Sequence, residues 1–449
     1  MTCASFSVRR AVVALACVGL WPAVAPGQRA TGDSALDALV AQALAGNPAI
    51  RAAAMRVDAA RARVGPAGAR PDPMLMLGVV DFPYHQPGFA DNFTMNTVRL
   101  TQAIPYPGKL SLATRAADED AESARALLDQ TKLDAVRDVE IAYYQLAYLR
   151  RAREIVEQNS AVLGGLVKVA QARYEVGTGV QADALRARIE AARLGDQASV
   201  LAAQERTALA RLNAVLDRPS DTPVDAPEIP LRIARLAVAD SASRVQFSSA
   251  ALGAAPNDSP LLPVDSIVAL AVARSPMLRA HEAQIAAQER RLALAEKAHL
   301  PDFDVSLEYD QRPHFPDYLS FFVSVPLPLQ RARKQNQDVA AARADLAALH
   351  AEHATEVDAV RTEVASLTSD AERSRTQLAL SVKAVLPQAH AALASATASY
   401  EVGRIDFPAL VDAQAELFNE ETAYARALTD FATTLARLVS VVGTAEVVR

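Results

Sequence analysis

The chain contains the same succession of segments twice, and each copy carries the tetrapeptide Tyr-Glu-Val-Gly. The tetrapeptide occupies residues 174–177 and again 400–403. Upstream, a segment rich in Ala, Leu and Val leads to Asn47-Pro48 in the first copy and to Ser275-Pro276 in the second. Self-similarity at one spacing is the signature of a repeated structural unit. The chain is therefore predicted to fold as two similar halves, which is typical of a symmetric assembly and unlike an enzyme domain.

The first thirty residues have the features of a secretory signal peptide. Two arginines precede an apolar run over 11–25, and its last three residues are small enough for signal peptidase. A lipoprotein with its lipid on Cys17 is the alternative, although the three residues before Cys17 make a poor lipobox. Both cysteines, Cys3 and Cys17, lie in this segment, so the mature chain is expected to have none, as suits an oxidising compartment.

Composition limits the partners and the membrane-crossing elements. The formal net charge of −6 argues against a nucleic-acid partner. Beyond the signal segment no stretch approaches the ~20 apolar residues of a transmembrane helix, so any crossing would be made by strands. The chain is 51% hydrophobic but only 5% aromatic, which indicates Ala-, Val- and Leu-rich packing of the kind found in coiled helices.

Each copy is predicted to contain a helix, a strand hairpin, a long helix and a further helix. The hairpins are expected at 74–104 and 303–327, each with prolines at its boundaries. In the second hairpin, apolar Phe303, Val305, Leu307 and Tyr309 alternate with Asp304, Ser306, Glu308 and Asp310. This alternation fits a strand between lipid and water, with the polar stripe facing the water, and it equally fits a half-exposed soluble hairpin. The Asn47-Pro48 pair predicts a break in the preceding helix.

The long helices are predicted at 109–175, which contains no proline, and at about 330–400, where Pro387 is the only one. A continuous helix over 109–175 would be ~100 Å long. Two adjacent apolar stripes repeat every seven residues along it, which indicates neighbours on more than one side, as in a bundle or barrel of helices. The first stripe contains Ile141, Tyr148, Ile155, Val162 and Val169, and the second Ala142, Leu149, Val156, Leu163 and Ala170.

The predicted fold class is mainly α with a small β portion, arranged as two repeats. The segment 218–263 holds seven prolines and is interpreted as a connector. The boundaries are 1–30 for the signal peptide, 31–217 for the first repeat, 218–263 for the connector and 264–449 for the second repeat.

In this order and repetition of elements, the chain resembles the TolC-like outer-membrane efflux proteins. The similarity rests on the duplication, the Asn-Pro break, the two YEVG turns and the exit from the first hairpin, Gln102 to Lys109. It implies a homotrimer in which each chain contributes four strands to one outer-membrane β-barrel, while the helices form a periplasmic tunnel. The implied partners are outer-membrane lipid, a periplasmic adaptor protein and an inner-membrane efflux pump of the proton-driven type.

The resemblance also implies where the functional residues lie. The YEVG turns would form the periplasmic tip that docks the adaptor, with Tyr174, Gly177, Tyr400 and Gly403 as candidates. Asp183 and Asp412 match positions that are often acidic near the constriction of the tunnel. Ala409 departs from the pattern, since many relatives carry a second acid there. Asp412 is predicted to form either a latch with Arg404 or a cation-selective ring, and a solvated or capping aspartate near a helix start is the alternative.

No catalytic residue, cofactor site or metal site is predicted. The chain lacks a phosphate-binding glycine loop, a nucleophile elbow and a zinc-protease motif. His350 and His353 are three residues apart, but a histidine pair without a third ligand is usually on the surface. Met74 and Met76 are expected to face lipid or to be packed rather than to bind copper. The residues from Tyr106 to Leu110 look most like the heavy-metal branch of the family.

Two functions from different classes fit these patterns. The first is a passive outer-membrane channel of a tripartite efflux system, which is the function that the resemblance implies. The alternative is a secreted coiled-coil structural or adaptor protein without a pore. Periplasmic adaptors usually have one helical hairpin flanked by β domains, whereas this chain has long helices in both halves.

Overall fold

The computed structural model describes residues 34–82, 84–85, 93–177, 179–225, 228–238, 261–313, 315–444 and 446–447. The predicted signal peptide with Cys3 and Cys17 lies outside these residues, as do 239–260 of the predicted connector. The domain boundaries given above therefore stay predictions.

In the part of the chain that the structure describes, the first repeat and the connector contain five helices and two strands, in the order expected. They are α1 (Ser34–Gly46), α2 (Pro48–Gly68), β1 (Met74–Val80), β2 (Met95–Ile104), α3 (Lys109–Glu175), α4 (Gln181–Val215) and the short α5 (Leu231–Val238). The predicted break lies between α1 and α2. Asn47 caps α2 by accepting a 2.8 Å hydrogen bond from the Ala49 amide, and its side-chain nitrogen donates to the Val215 carbonyl at 3.0 Å. The continuous helix predicted over 109–175 is confirmed.

The second half repeats this order. Its elements are α6 (Val264–Arg274), α7 (Pro276–Glu296), β3 (Phe303–Gln311), β4 (Tyr318–Ser324), α8 (Gln335–Leu380), α9 (Leu386–Glu401) and α10 (Phe407–Val442). The long helix predicted over about 330–400 is present, but it begins only at Gln335. The backbone stays helical to Glu401, with a π-helical turn over Ser381–Val385 between α8 and α9. Pro387 lacks a backbone donor, so the regular hydrogen-bond ladder cannot pass through it.

The two predicted hairpins form one antiparallel sheet in the order β1-β2-β3-β4. Strands β2 and β3 pair along their length, with Arg99 opposite Glu308 and Thr101 opposite Ser306. Every strand is joined to a helix at the same end of the sheet. The four connections run from α2 to β1, from β2 to α3, from α7 to β3 and from β4 to α8. The helices of the molecule therefore extend from that one end.

The helical core is divided among three clusters of buried side chains. One packs α3 against α1, α4 and α10, a second packs α8 against α6 and α10, and a small third cluster lies near the YEVG turns. The second heptad stripe of α3 is buried at Leu149, Val156 and Leu163. The first stripe is buried only in part, because Val162 and Val169 are 48% and 41% exposed. The part of α3 that carries Val162 and Val169 is therefore exposed in the single chain.

Candidate functional site

The two YEVG turns have the same backbone geometry. Gly177 and Gly403 have φ values of 75° and 73°, the left-handed conformation expected of a glycine that ends a helix. In each turn the glycine amide donates to the tyrosine carbonyl at 3.0 Å, from Gly177 to Tyr174 and from Gly403 to Tyr400. The repeated tetrapeptide therefore produces the same tight link between a long helix and the next one in both halves.

Arg173 joins the two turns. Its Nη1 donates a 2.5 Å hydrogen bond to the backbone carbonyl of Tyr400, and its guanidinium carbon lies 4.8 Å from the centre of the Tyr400 ring. Arg173 thus binds Tyr400 in two ways, through a cation–π contact with the ring and through a charge-assisted hydrogen bond to the backbone. We did not predict this contact from the sequence. The sequence did contain an indication of it. The residue before the tetrapeptide is Arg173 in the first repeat and Ser399 in the second, so the two otherwise similar turns differ at this position.

The two tyrosines of the turns have different environments. Tyr174 is 46% exposed, whereas Tyr400 is 5% exposed and packs edge-on against buried Phe407, with ring centres 5.7 Å apart. Burial raises the pKa of the Tyr400 hydroxyl; the positive charge of Arg173 opposes this shift and the carboxylate of Asp183 adds to it. Tyr400 is therefore packed inside its turn, while the side chain of Tyr174 is available for contact with another molecule.

The predicted gate residues lie close in sequence to this cluster. Asp183 is half-buried in the first turn of α4. Arg404 and Asp412 are both exposed, and no hydrogen bond or ion pair in the described part of the chain joins them. The interpretation of Asp412 as a helix-capping residue is wrong, because Asp406 caps α10 by accepting from the Ala409 amide at 3.4 Å. Asp412 lies more than one turn further along that helix.

The sheet has one polar face. Thr97 donates to Asp310 at 2.5 Å, Arg99 pairs with Glu308, and the hydroxyls of Thr101 and Ser306 are 2.9 Å apart. These pairs bury Ser306, Glu308 and Asp310 within the single chain. A buried carboxylate is tolerated when such donors satisfy it. The polar stripe predicted for β3 therefore lies beside a second polar stripe on β2, and the two stripes form one polar face.

The opposite face of the sheet is apolar and exposed. Leu307 is 49% exposed, Phe321 65% and Val323 57%. The register places Met74 opposite Thr101 and Met76 opposite Arg99, so both methionines lie on the polar face. Of the two environments expected for them, packing is not found, since Met74 and Met76 are 68% and 43% exposed, and the register places them on the face opposite the apolar stripe.

Other residues considered for metal binding do not form a cluster. His353 approaches His281 of α7, with ring centres 6.4 Å apart. In the part of the chain that the structure describes, no group of three or more His, Cys, Asp or Glu side chains is arranged to hold a metal ion. No described helix combines the length and the apolar character needed to span a membrane.

Comparison with known families decides the identity of the fold. The family described as "Outer membrane efflux protein" matches residues 39–218 and 267–444, which are the two repeats without most of the connector. The chain belongs to this family. It is therefore an outer-membrane efflux channel, and channels of this family are passive conduits rather than enzymes.

Solved structures of outer-membrane channels have the same fold as this efflux channel. VceC from Vibrio cholerae is 18% identical, with a TM-score of 0.76 over 94% of this chain and 99% of its own. OprN is 20% identical, with a TM-score of 0.75 over 92% and 91%. CmeC from Campylobacter jejuni is 13% identical, with a TM-score of 0.73 over 92% and 86%. No curated protein matches the chain by sequence.

Proposed function

We propose that this efflux channel is the outer-membrane exit duct of a tripartite system. Three copies would close one β-barrel and continue as a periplasmic tunnel of helices, and a periplasmic adaptor and a proton-driven inner-membrane pump would deliver the substrate. Family membership supports the general role, because channels of this family work with adaptors and inner-membrane pumps, generally as homotrimers.

The observation that carries this proposal is the pair of open edges on the sheet. Among the described residues, β1 and β4 each pair with one strand only, and the apolar face between them is exposed. In hydrocarbon, every unpaired backbone group costs several kcal/mol, so an open four-stranded sheet is not viable there. Pairing β4 of one copy with β1 of the next removes both edges at once and leaves the polar face towards a common interior.

The helices support the same assembly. Val162 and Val169 of α3 and Leu185 and Ile189 of α4 are between 41% and 53% exposed, although they follow the period of packed helices. A neighbouring copy would cover these side chains. The two turns lie at the end of the helices that is far from the sheet, where an adaptor would dock on Tyr174, Gly177, Tyr400 and Gly403. The opening of the tunnel would be surrounded by Asp183, Asp412 and Arg404.

Fractionation tests the proposal directly. We expect the full-length protein in the outer membrane, running as a heat-sensitive trimer on gels, and we expect its deletion to abolish export when pump and adaptor are present. A soluble monomer in the periplasm would overturn the duct and favour the alternative, a secreted coiled-coil protein. Export that continues with the pump but without this protein would overturn only the tripartite role.

A further inference from the structure

The segment that links β4 to α8 combines exposed leucines with free positive charge. The apolar stripe of β4 does not stop where the strand ends. Its alternate residues continue past Ser324 as Val325, Leu327 and Leu329, which are 47%, 74% and 89% exposed. Exposure thus rises along the stripe, and Leu329 is nearly free of contacts. Residues 325–334 are here called the junction segment.

Basic residues follow these leucines immediately. Arg331, Arg333 and Lys334 are all exposed, and none of their side chains has an ion pair or hydrogen bond in the described part of the chain. The backbone around them is ordered, since the amides of Arg333 and Lys334 donate to the Gln330 carbonyl at 3.0 and 3.1 Å. Among the described residues, no carboxylate forms an ion pair with them: Asp302 is paired with Lys109 at 2.8 Å, and Asp338, which also lines the cavity, forms no ion pair.

A cavity of about 620 Å³ lies beside the junction segment. Leu327, Leu329, Lys334 and Gln335 contribute to its wall. The cavity wall therefore combines apolar side chains with a positive charge.

The position in the fold supplies the environment. All helices leave the sheet at the end where this segment lies, so it is at the periplasmic margin of the membrane. At ~3.3 Å per residue and a tilt of ~40°, β4 itself, Tyr318 to Ser324, covers about 15 Å of membrane thickness. The chain continues beyond the strand to a tight turn at 327–329, where the Leu329 amide donates to the Leu327 carbonyl at 2.8 Å. The leucines thus reach the edge of the hydrocarbon, and the basic residues follow at the level of the headgroups.

We propose that the junction segment binds an anionic phospholipid of the periplasmic leaflet, of the phosphatidylglycerol class. Leu327 and Leu329 contact the acyl chains, and Arg331, Arg333 and Lys334 contact the phosphate. Basic residues at a membrane surface each contribute about 1 kcal/mol to the binding of anionic lipid, roughly fivefold in affinity. The proposal needs only the outer-membrane position of the sheet and does not depend on the pump or the adaptor.

The test compares lipids bound to the purified full-length protein. Native mass spectrometry would count retained phosphatidylglycerol and phosphatidylcholine of equal chain length, and thermal unfolding would measure stabilisation by each. We expect at least a tenfold preference of the wild-type protein for phosphatidylglycerol, weakened by salt. The triple variant R331Q/R333Q/K334Q should lose this preference. The matched control R279Q/R361Q/R373Q, which removes three exposed charges from the helices, should keep it.

Other outcomes would overturn the proposal. An unchanged lipid ratio in the triple variant would do so, and so would equal stabilisation by inorganic phosphate at matched ionic strength, which would indicate a phosphate site. If the triple variant weakens the trimer without changing the lipid ratio, a neighbouring subunit covers the segment instead.

Discussion

Arg173 in the first repeat donates a hydrogen bond to the backbone carbonyl of Tyr400 in the second, and its guanidinium stacks on the Tyr400 ring. This contact fastens the two helix-ending turns of one chain to each other. The equivalent residue of the second repeat is Ser399, whose side chain cannot supply a cation. In an assembly of several copies, the second repeat of one copy would therefore have no equivalent of Arg173 with which to bind the first repeat of the next copy. We expect the tip to be more firmly held within a subunit than between subunits.

Replacing Arg173 by Gln should loosen the tip. The change removes a charge-assisted hydrogen bond and a cation–π contact, together worth about 1–3 kcal/mol. We expect higher conductance of the unpartnered channel in planar bilayers. Arg188→Gln on the exposed side of α4 is the control and should leave conductance unchanged. Equal conductance in wild type and Arg173→Gln would show that the clamp does not limit opening.

Charged replacements of the turn glycines should abolish export without preventing assembly. A side chain at either glycine is strained by the positive φ, and the tip would no longer be smooth enough for a partner to pack closely. The two positions differ, since a Cβ at 403 would lie 3.2 Å from Arg173 Nη2 while a Cβ at 177 meets nothing within 4 Å. Gly403→Ala should therefore impair export more than Gly177→Ala.

Gels for the trimer, cross-linking to the adaptor and an export assay measure these effects. Gly403→Glu trimers that assemble and export normally would contradict the docking role of the turns.

Asp412 and Arg404 should act between subunits if they form a latch, because no hydrogen bond or ion pair joins the two residues within the described part of the chain. Asp412→Ala and Arg404→Ala should then each raise conductance, and the double variant should add little, since both remove one contact. If Asp412 instead forms a ring around the pore, Asp412→Ala should lower the preference of the channel for cations, measured as a reversal potential. The Arg404→Ala channel should then stay closed. Glu416→Ala is the matched control on α10. Unchanged conductance and ion preference in Asp412→Ala would exclude both roles.

Adjacent residues of β3 should meet different solvents. Ser306 lies on the polar face, hydrogen-bonded to Thr101, and Leu307 lies on the exposed apolar face. A cysteine at position 304, which lies on the same face as buried Ser306 but is only half-buried, should react faster with a water-soluble thiol reagent, and one at 307 faster with a lipid-soluble reagent. The reverse order would place the carboxylates of β3 in lipid, at a cost that the fold could not sustain, and would refute the assignment of the two faces.

The Asp302–Lys109 pair at the end of the sheet should make stability depend on acidic pH. Burial opposes ionisation of Asp302, but the hydrogen bonds from Lys109 and the Tyr106 amide prevail and lower its pKa. Because the folded pKa is lower than the unfolded one, the contribution is complete above the ordinary aspartate pKa of about 3.9 and is lost as pH falls through the folded pKa. Thermal unfolding should show Asp302→Asn less stable than wild type at neutral pH, with the difference closing in acid. A difference that does not change with pH would contradict this.

Much of the fold follows from local patterns. Period-two alternation in β3 and heptads in α3 depend only on which face of an element avoids water, and the conformation of Gly177 and Gly403 depends on the absence of a Cβ. For that reason the duplication, the hairpins, the helix break at Asn47 and the two turns were all predicted from the sequence. The site was predicted only as far as the turns, through residues that both copies share.

The tertiary structure decided what depends on partners far apart in the chain. The pairing of β2 with β3, the polar position of Met74 and Met76, the contact of Arg173 with Tyr400 and the exposed leucines of the junction segment all depend on register or on packing between the repeats. A one-residue change of register would reverse the two faces of a strand without altering its composition. The sequence by itself therefore determined the elements and their order, whereas only the assembled chain determined which side chains meet, because such contacts join residues that local periodicity does not relate.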